Sequence, residues 1–278
     1  MIPITILINV FNDTQLKCRE HPDLRSATVR MQARTLLYLK DYAAVDPQVK
    51  SSEPNIEICE DTSFHCAQRL MKENGFEPSG EEKLRTAVLN FANAYHPGGG
   101  VKYGDMAQEE CLCRSSNLYS ALTQPYLLRN YYKWNSKNTG DMGTDAVIWS
   151  PDVTVFKTDD PVPVEMGREE WFQVDVLTCA APYFDKNRKH PVTPEKLRDV
   201  FNHRIRNILE VAMANDTDLL VLGAFGCGAF NNPPELVADV FRELLLEKGY
   251  FRFFRKIVFA IKKNDSANTN LETFRRVI

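Results

Sequence analysis

Two adjacent carboxylates closely follow a glycine triplet in this chain. Seven residues separate the triplet Gly98-Gly99-Gly100 from Gln108-Glu109-Glu110. A glutamate can act as a general acid and then as a base, and glycines let the oxygens of a ligand approach the backbone closely. The pattern predicts a polar ligand held by the glycine loop, with one carboxylate at its reactive bond and the other on a neighbouring group.

A helix that begins just before the carboxylates would position both of them. Asp105 is the predicted N-cap, and Gln108 three residues later makes a variant of the capping box. Glu109 and Glu110 then lie in the first turn about 100° apart, so both cannot face one bond squarely. A modestly apolar stripe at i, i+4, i+7 and i+11 continues the helix: Cys111, Ser115, Leu118 and Leu122. Alternatively, the acidic residues only complement the helix dipole and the triplet is a loose connection.

A second glycine loop favours the functional interpretation. The segment VLGAFGCGAFNNPPELVADVFRELL runs from a buried strand into a loop and then a helix. Its glycines are Gly223, Gly226 and Gly228. Asn232 is a possible cap of the following helix, and Pro233 or Pro234 is a candidate for a position near the helix start. This pattern predicts a phosphate cradle that is neither a Walker A loop nor the dinucleotide fingerprint. Two such loops at the carboxyl ends of strands in one sheet would face a common crevice.

Strands, polar or glycine turns and helices alternate from residue 56 onward, which is typical of an α/β layer architecture. The predicted strands are Ile56 to Cys59, Ala87 to Asn93, two short strands around the Ser-Pro-Asp turn of Ala146 to Lys157, Asp175 to Ala181, Leu219 to Phe225 and Ile257 to Lys262. Asn268 to Val277 is a predicted last helix. Residues 54–278 therefore form one predicted domain.

Residues 1–53 are predicted to form a mostly helical N-terminal extension. Ser26 to Ala44 shows helical spacing at Val29, Leu36, Leu37 and Tyr42. The opening MIPITILINVF is apolar but too short to cross a bilayer, so it is interpreted as a strand or a docking segment.

Composition narrows the classes of partner and compartment. Lys and Arg total 34 against 37 Asp and Glu, for a net charge of −3, which argues against binding mainly through nucleic-acid phosphates and against direct sequence-specific nucleic-acid recognition. The odd count of seven cysteines and the absence of an ordered signal-peptide pattern predict a cytoplasmic protein with reduced thiols and no membrane partner.

The motifs together resemble the bacterial-type poly(ADP-ribose) glycohydrolases of the macrodomain superfamily. Gly-Gly-Gly, six to eight residues and Gln-Glu-Glu form the hallmark of that family, and the resemblance extends through VLNFANAYHPGGG, LCRSSNLYSAL, WSPDVTVFK, TCAAP, GAFGCGAF and VFAIK. It implies a three-layer α/β/α macrodomain-type mixed sheet. It also implies a hydrolase that releases ADP-ribose from poly(ADP-ribose), mainly from chain ends, and that acts on ADP-ribosylated macromolecules without a metal or cofactor.

The resemblance also implies a role for each matching residue. Glu110 would be the catalytic acid, then base; Glu109 would bind ribose hydroxyls; and Gln108 would order the loop. The diphosphate and terminal ribose would contact Gly226, Cys227, Gly228, Phe230 and Asn93, and Asp61 would contact adenine. Ordinary glycosidases place two separated carboxylates across the sugar, so here the folded-back diphosphate would supply the second negative group.

Several other interpretations stay open at this stage. The resemblance also allows a hydrolase of mono-ADP-ribosylated acceptors or a non-catalytic ADP-ribose-binding module. Cys227 or Cys179 with His96 as a nucleophilic pair is disfavoured, and neither Cys111 with Cys113 nor His65 with Cys66 has the spacing of zinc ligands. Packing is the favoured interpretation of the aromatic residues Tyr131, Tyr132 and Trp134. The run Tyr250 to Lys256 is interpreted as an amphipathic edge, in preference to a surface for nucleic-acid stacking.

Overall fold

A computed structural model describes residues 2–39, 41–74, 84–185, 192–263 and 269–278. The strands are β1 (Leu36–Tyr38), β2 (Ile56–Cys59), β3 (Thr86–Phe91), β4 (Val147–Val155), β5 (Phe172–Cys179), β6 (Leu219–Leu222) and β7 (Lys256–Ala260). The helices are α1 (Ile4–Glu20), α2 (Pro22–Arg34), α3 (Ser63–Glu73), α4 (Gln108–Ser115), α5 (Leu118–Leu122), α6 (Pro125–Leu127), α7 (Lys133–Asn138), α8 (Pro194–Ala214), α9 (Pro234–Arg242) and α10 (Thr269–Val277). Short 3₁₀ or π turns lie at Val101–Tyr103, Leu128–Tyr132, Gly140–Met142, Arg168–Glu170, Glu243–Glu247 and Tyr250–Phe253.

The described strands form one mixed sheet in the order β1-β4-β5-β3-β6-β7-β2. The five strands from β5 to β2 are parallel, and β4 and β1 are antiparallel to their neighbours. Because parallel strands end at the same edge of a sheet, β2, β3, β5 and β6 deliver their following loops to one side of the molecule. The crevice that the two glycine loops need is therefore built by strand order.

Alternate side chains of the sheet enter two separate apolar cores. Leu89 and Leu177 belong to the core shared with α8 and α9, whereas Val88 and Val176 belong to the core shared with α3, α4 and α5. Successive residues of a strand point to opposite faces, so these runs must be apolar throughout to fill both cores. The predicted three-layer α/β/α architecture with a mixed sheet is confirmed.

The prediction for the first residues of the chain is partly wrong. The apolar opening segment lies in helix α1 instead of a strand, and it docks on the molecule through buried Leu7 and Phe11. The helical spacing across Ser26 to Ala44 fails after Arg34, because Leu36 to Tyr38 form the edge strand β1, which pairs with β4. The division at residue 54 stays a prediction.

The two short strands predicted between Ala146 and Lys157 are one strand, β4. Its register to β5 shifts between Ser150 and Val153, which is a β-bulge. Pro151 has no N–H for the ladder, and bulges accommodate such residues. Asp152 adopts a left-handed φ of 53° there, and its N–H donates to Asp175 Oδ1 at 2.9 Å.

The other predicted strands and the last helix are confirmed within a few residues at each end. All seven cysteines are free thiols. Among the described residues, no helix is both long and apolar enough to cross a membrane.

Candidate active site

The glycine triplet brings the backbone against the two carboxylates. Gly98 and Gly99 adopt left-handed φ values of 71° and 55°, which residues with a side chain rarely adopt. A Cβ on Gly99 would lie 2.2 Å from Glu110 Oε1, and a Cβ on Gly100 would lie 1.9 Å from Asp105 Oδ2. The loop therefore needs glycine for both conformation and space.

Glu109 is held on both of its oxygens. Its Oε2 accepts the Asn93 N–H at 2.7 Å, and its Oε1 accepts the Gly98 N–H at 3.2 Å and the Asn90 amide at 3.3 Å. The side chain is 2% exposed. Burial raises the pKa of Glu109 to about 8, against the three hydrogen bonds that favour its charged form. Glu109 thus joins the end of β3 to the glycine loop.

Glu110 keeps one oxygen without a partner. Its Oε1 accepts the Gly100 N–H at 2.8 Å, while buried Oε2 has no hydrogen-bond partner among the described residues. Burial raises the pKa of Glu110; the Gly100 hydrogen bond opposes that change, the nearby Asp105 charge adds to it, and Arg114 acts against it. A raised pKa and a carboxylate oxygen without a partner suit this group to act as a proton donor.

The protein itself uses the N–H groups of the triplet. Gly98 and Gly100 donate to the two glutamates, and the Gly99 N–H donates to His96 O at 3.0 Å. Close approach of a ligand to the triplet stays a prediction. The observed role of the triplet is to orient the carboxylates.

The predicted cap of the acid-bearing helix is wrong. Helix α4 begins at Gln108 with Ala107 as N-cap and no side-chain cap, because the Asp105 carboxylate lies against Gly100 instead. The first-turn position predicted for both glutamates is confirmed. The predicted continuous stripe from Cys111 to Leu122 is interrupted, since α4 ends at Ser115 and α5 begins separately.

Gln108 links three segments of this edge. Its amide nitrogen donates to Ser63 Oγ at 2.9 Å and to Leu89 O at 2.8 Å, and its carbonyl oxygen accepts the Phe91 N–H at 2.8 Å. The start of α3, the end of β3 and helix α4 are thereby fixed together. Asn93 shapes the adjacent turn, since its Oδ1 accepts the N–H groups of the residues two and three positions later.

The second glycine loop packs directly on the end of β3. A Cβ on Gly223 would lie 2.7 Å from the Phe91 ring, and the rings of Phe91 and Phe225 are 6.0 Å apart. Gly226 adopts a φ of 76°, and a Cβ there would lie 2.4 Å from Ala181. The loop is therefore seated between the ends of β3 and β5.

Buried Asn232 closes the second loop instead of capping the helix after it. Its amide donates to Pro182 O at 2.8 Å and Gly226 O at 2.9 Å. Helix α9 has Pro233 as N-cap and Pro234 in its first position, so the prediction of Asn232 as cap is wrong and that of Pro234 is confirmed.

Two of the three predicted diphosphate donors are available in the second loop. In the part of the chain that the structure describes, the N–H groups of Gly226 and Gly228 have no acceptor, whereas the Cys227 N–H donates to Ala224 O at 3.0 Å. Phe230 stacks edge-on with Tyr183 at 6.1 Å, and its carbonyl accepts the Phe184 N–H at 2.9 Å. The ring of Phe230 therefore borders the loop that carries the free donors.

Asp61 lies at the same edge, two residues after β2. Its Oδ1 accepts the Thr62 N–H at 2.8 Å and lies 2.7 Å from His65 Nδ1. Ser63, the first residue of α3 two positions later, contacts Gln108. The structure thus places Asp61 beside the anchor of the acid-bearing helix.

The comparisons with known proteins agree with this arrangement. A family model described as the catalytic domain of microbial-type PARG, poly(ADP-ribose) glycohydrolase, matches residues 8–158. The chain belongs to this family. Its members are glycosidases that act on poly(ADP-ribose), so the predicted family, fold and class of enzyme are confirmed.

Solved structures of the microbial-type PARG family match nearly the whole chain. PARG from Thermomonospora curvata is 30% identical, with 98% of this chain and 99% of that chain covered and a TM-score of 0.82. PARG from Deinococcus radiodurans in complex with ADP-ribose is 32% identical, with coverages of 90% and 96% and a TM-score of 0.70. The T. curvata enzyme bound to the inhibitor ADP-HPD has a TM-score of 0.79 at 28% identity and coverages of 98% and 99%. No curated protein matched the chain.

The thiols that were weighed as nucleophiles do not suit that role in this PARG-family chain. Burial raises the pKa of Cys179 to about 12 and raises that of Cys227 further, so neither is a thiolate near neutral pH. Tyr131 and Tyr132 are buried, as their interpretation as packing residues requires, whereas Trp134 is 49% exposed and that interpretation is wrong for it. The run Tyr250 to Lys256 forms a 3₁₀ turn that leads into β7.

Sequence reasoning missed three residues that support the PARG-family site, and it missed the role of a fourth, Asn232. Asn90 and Ser63 hold Glu109 and Gln108, and Asn232 holds the second loop. Asp159 Oδ2 accepts the Phe64 N–H at the start of α3 at 2.9 Å. A polar residue inside an apolar strand was the available signal for Asn90, whereas the other contacts depend on segments distant in sequence.

Proposed function

We propose that this chain releases ADP-ribose from poly(ADP-ribose), mainly from chain ends, with Glu110 as the single acid and then base. The buried, unpartnered Oε2 of Glu110 carries this proposal. Its fixed Oε1 and the raised pKa of this buried carboxyl group support the role of proton donor.

The proton transfer follows from this arrangement. Glu110 Oε2 gives its proton to the ribose oxygen that leaves as the glycosidic bond breaks, and the anomeric carbon becomes oxocarbenium-like. The Glu110 carboxylate then takes a proton from water as the water oxygen bonds to that carbon. The acid is thereby restored without a second carboxylate across the sugar.

The second loop is proposed to supply the substrate's binding energy. The free N–H groups of Gly226 and Gly228 support binding of the diphosphate, with Cys227 contributing mainly to loop shape. Phe230 and Asn93 are proposed to fix the terminal ribose, and Asp61 the adenine. A diphosphate bent back toward the ribose stabilises the developing positive charge.

The remaining residues of the first loop are proposed to hold the reacting sugar in place. Glu109 keeps lone pairs for ribose hydroxyls while its existing hydrogen bonds fix the loop. Gly98, Gly99 and Gly100 allow the sugar to approach, and Gln108 maintains their position relative to α4. A cytoplasmic location is also proposed, on the basis of the seven free cysteines.

The Glu110→Gln variant tests the acid. We expect turnover of poly(ADP-ribose) to fall by at least ~100-fold, as loss of a general acid requires, while affinity for ADP-ribose stays within a few-fold. Glu272→Gln, an exposed change on α10, is the matched control and should retain turnover. Loss of ADP-ribose binding together with activity would indicate a binding or folding defect and contradict the assignment.

A comparison of two substrates distinguishes a hydrolase of the polymer from a hydrolase of mono-modified acceptors. Wild-type enzyme should release ADP-ribose from polymer faster than from a mono-ADP-ribosylated peptide at equal concentration of ADP-ribose units. Faster release from the peptide would instead identify an acceptor hydrolase. Polymer blocked at its terminal ribose should be cut slowly if chain ends are preferred.

A further inference from the structure

Two cysteines lie side by side behind the loop that carries Asp61. Cys59 ends β2 and Cys66 lies in the first turn of α3. Their sulfur atoms and an Asp61 carboxylate oxygen all lie within 4.8 Å of one another. Cys59 is partly exposed and Cys66 is fully buried. Cys59 is therefore the more accessible of the two residues to an oxidant in solution.

The Arg69 guanidinium faces both sulfurs. Its Nη2 is 3.6 Å from Cys59 Sγ and 3.9 Å from Cys66 Sγ, and its Nε is 3.8 Å from Asp61 Oδ2. Ion pairs to Glu57 at 2.8 Å and Glu73 at 3.0 Å hold the guanidinium there. A fixed cation beside a thiol favours its thiolate.

The two thiols differ in their readiness to ionise. The hydrogen bond from Cys66 lowers the pKa of Cys59, while burial and the nearby Asp61 charge oppose that change and the Arg69 charge adds to it. The same hydrogen bond and burial raise the pKa of Cys66. A partly exposed thiol with a lowered pKa next to a buried thiol with a raised pKa is the arrangement of an attacking and a resolving cysteine.

A metal ion is the competing occupant, and the surroundings argue against it. Structural zinc takes four ligands, whereas the described residues offer Cys59, Cys66 and Asp61. His65 already has its Nδ1 against Asp61. The Arg69 cation also faces the two sulfurs, where it would repel a bound cation.

We propose that Cys59 and Cys66 are a reversible oxidation site that forms a disulfide with hydroperoxides and weakens nucleotide binding at Asp61. The Cys59 thiolate attacks one oxygen of hydrogen peroxide, giving a sulfenic acid and hydroxide, which takes up a proton to become water. The Cys66 sulfur then attacks the Cys59 sulfur and loses its proton, and the sulfenic oxygen leaves as a second water. Two thiols are oxidised and one peroxide is reduced.

Closing this bond must disturb the loop between the two sulfurs. A disulfide requires an S–S separation of about 2.05 Å, and the loop it closes carries Asp61 and the Ser63 contact to Gln108. The sulfur pair also lies against Arg69, which faces Asp61. The expected loss of ADP-ribose affinity rests on the proposed role of Asp61. Formation of the disulfide does not depend on that role.

Peptide mass spectrometry tests the bond directly. Reduced full-length protein is treated with hydrogen peroxide, alkylated and digested. We expect a linked Cys59–Cys66 peptide that a dithiol reductant reverses, and slower formation in Arg69→Gln. ADP-ribose affinity, measured by calorimetry, should fall by about 5-fold or more on oxidation, the lower end of usual coupling between sites, and recover on reduction.

Single-cysteine variants supply the controls. Cys59→Ser and Cys66→Ser should each abolish the linked peptide and the loss of affinity. Cys111→Ser is the matched control, because Cys111 also lies beside an arginine, 3.8 Å from Arg114 Nη2. It should retain both responses, because Cys111 is not part of the pair.

Three results would overturn the proposal: no linked Cys59–Cys66 peptide, an unchanged ADP-ribose affinity of the linked protein, or one Zn²⁺ retained per chain that protects both thiols from alkylation. If the reduced protein fails to bind ADP-ribose at all, the proposed function fails instead, and the linked peptide still decides whether the disulfide forms.

Discussion

Glu109 and Glu110 are chemically identical neighbours that the fold places in different surroundings. Glu109 accepts three hydrogen bonds distributed over both oxygens, while Glu110 accepts one from Gly100 and keeps Oε2 free. Neighbours on a helix point about 100° apart, so one can hold the loop while the other reaches the reacting bond. Their division of labour follows from the helix geometry together with the glycine N–H groups.

Asp105 is a charge that tunes the acid. Its carboxylate lies against Gly100, whose N–H binds Glu110. The general acid works when protonated, so activity is lost as pH rises through the raised pKa of Glu110. Asp105→Asn removes a repelling charge, lowers that pKa and should shift the alkaline limb of the kcat/KM profile to lower pH. The shift should shrink in high salt because Asp105 is exposed.

The control for that profile is Glu195→Gln, an exposed change on α8 that should leave the alkaline limb in place. An unchanged limb in Asp105→Asn would show that the Asp105 charge does not contribute to the pKa of Glu110.

Glu109 makes stability depend on pH. Its folded pKa of about 8 exceeds its unfolded value near 4.5, so between these pH values the folded state binds more protons. The free energy of unfolding must therefore fall as pH rises through that window, by at most about 1.4 kcal/mol per pH unit from this group. In Glu109→Gln the slope from urea unfolding should flatten, whatever the absolute stability.

Exposed Glu272→Gln should keep the wild-type slope. An equally steep slope in Glu109→Gln would mean that Glu109 is already ionised below neutral pH, as its three donors favour.

At the scale of elements, the connections after the strands decide where the reactive groups lie. Gly99→Ala introduces a Cβ 2.2 Å from Glu110 Oε1 at a φ of 55°, and the acid must move. A displacement of about 1 Å costs on the order of 100-fold in rate, so turnover should fall by about that factor. The measurement is initial rate on polymer together with the melting temperature.

Gly140→Ala is the matched control, because Gly140 has a φ of 52° and a Cβ added there would meet no heavy atom within 4 Å. It carries the same left-handed strain of about 1–2 kcal/mol without touching the acid. Equal loss of turnover in both variants would mean that backbone strain, and not the displaced carboxylate, is responsible.

Strands and loop motifs were readable from the sequence because each depends on neighbours along the chain. Apolar runs predicted β3, β5, β6 and β7, and the glycine spacing predicted where the loops would be. The wrong cap at Asp105 has a local cause, because its carboxylate packs against Gly100 five residues earlier in the same loop. The wrong role of Asn232 has a tertiary cause, because its amide bonds Pro182 O, which folding brings near.

At the scale of the whole molecule, the N-terminal helices support the acid-bearing helix. Thr14 of α1 donates to Arg114 O at 2.6 Å, and Asp13 pairs with Lys157 at 2.7 Å. A Cβ on Gly104 would lie 2.7 Å from Ile4. Local spacing alone could not predict these contacts, nor the pairing of β1 with β4, because their partners are about a hundred residues away.

Phe11→Ala should therefore weaken the whole molecule and not only α1. Phe11 is 3% exposed, its ring is 5.0 Å from that of Tyr119, and it shares a core with α4 and β3. A buried Phe→Ala change costs about 3–5 kcal/mol, whereas Leu16→Ala at an exposed position of the same helix should cost under about 0.5 kcal/mol. Circular dichroism, tryptophan fluorescence and ADP-ribose binding should be lost in one shared transition at lower urea. An early transition of Phe11→Ala that leaves ADP-ribose binding intact would instead support residues 1–53 as a separate unit, as the division at residue 54 predicts.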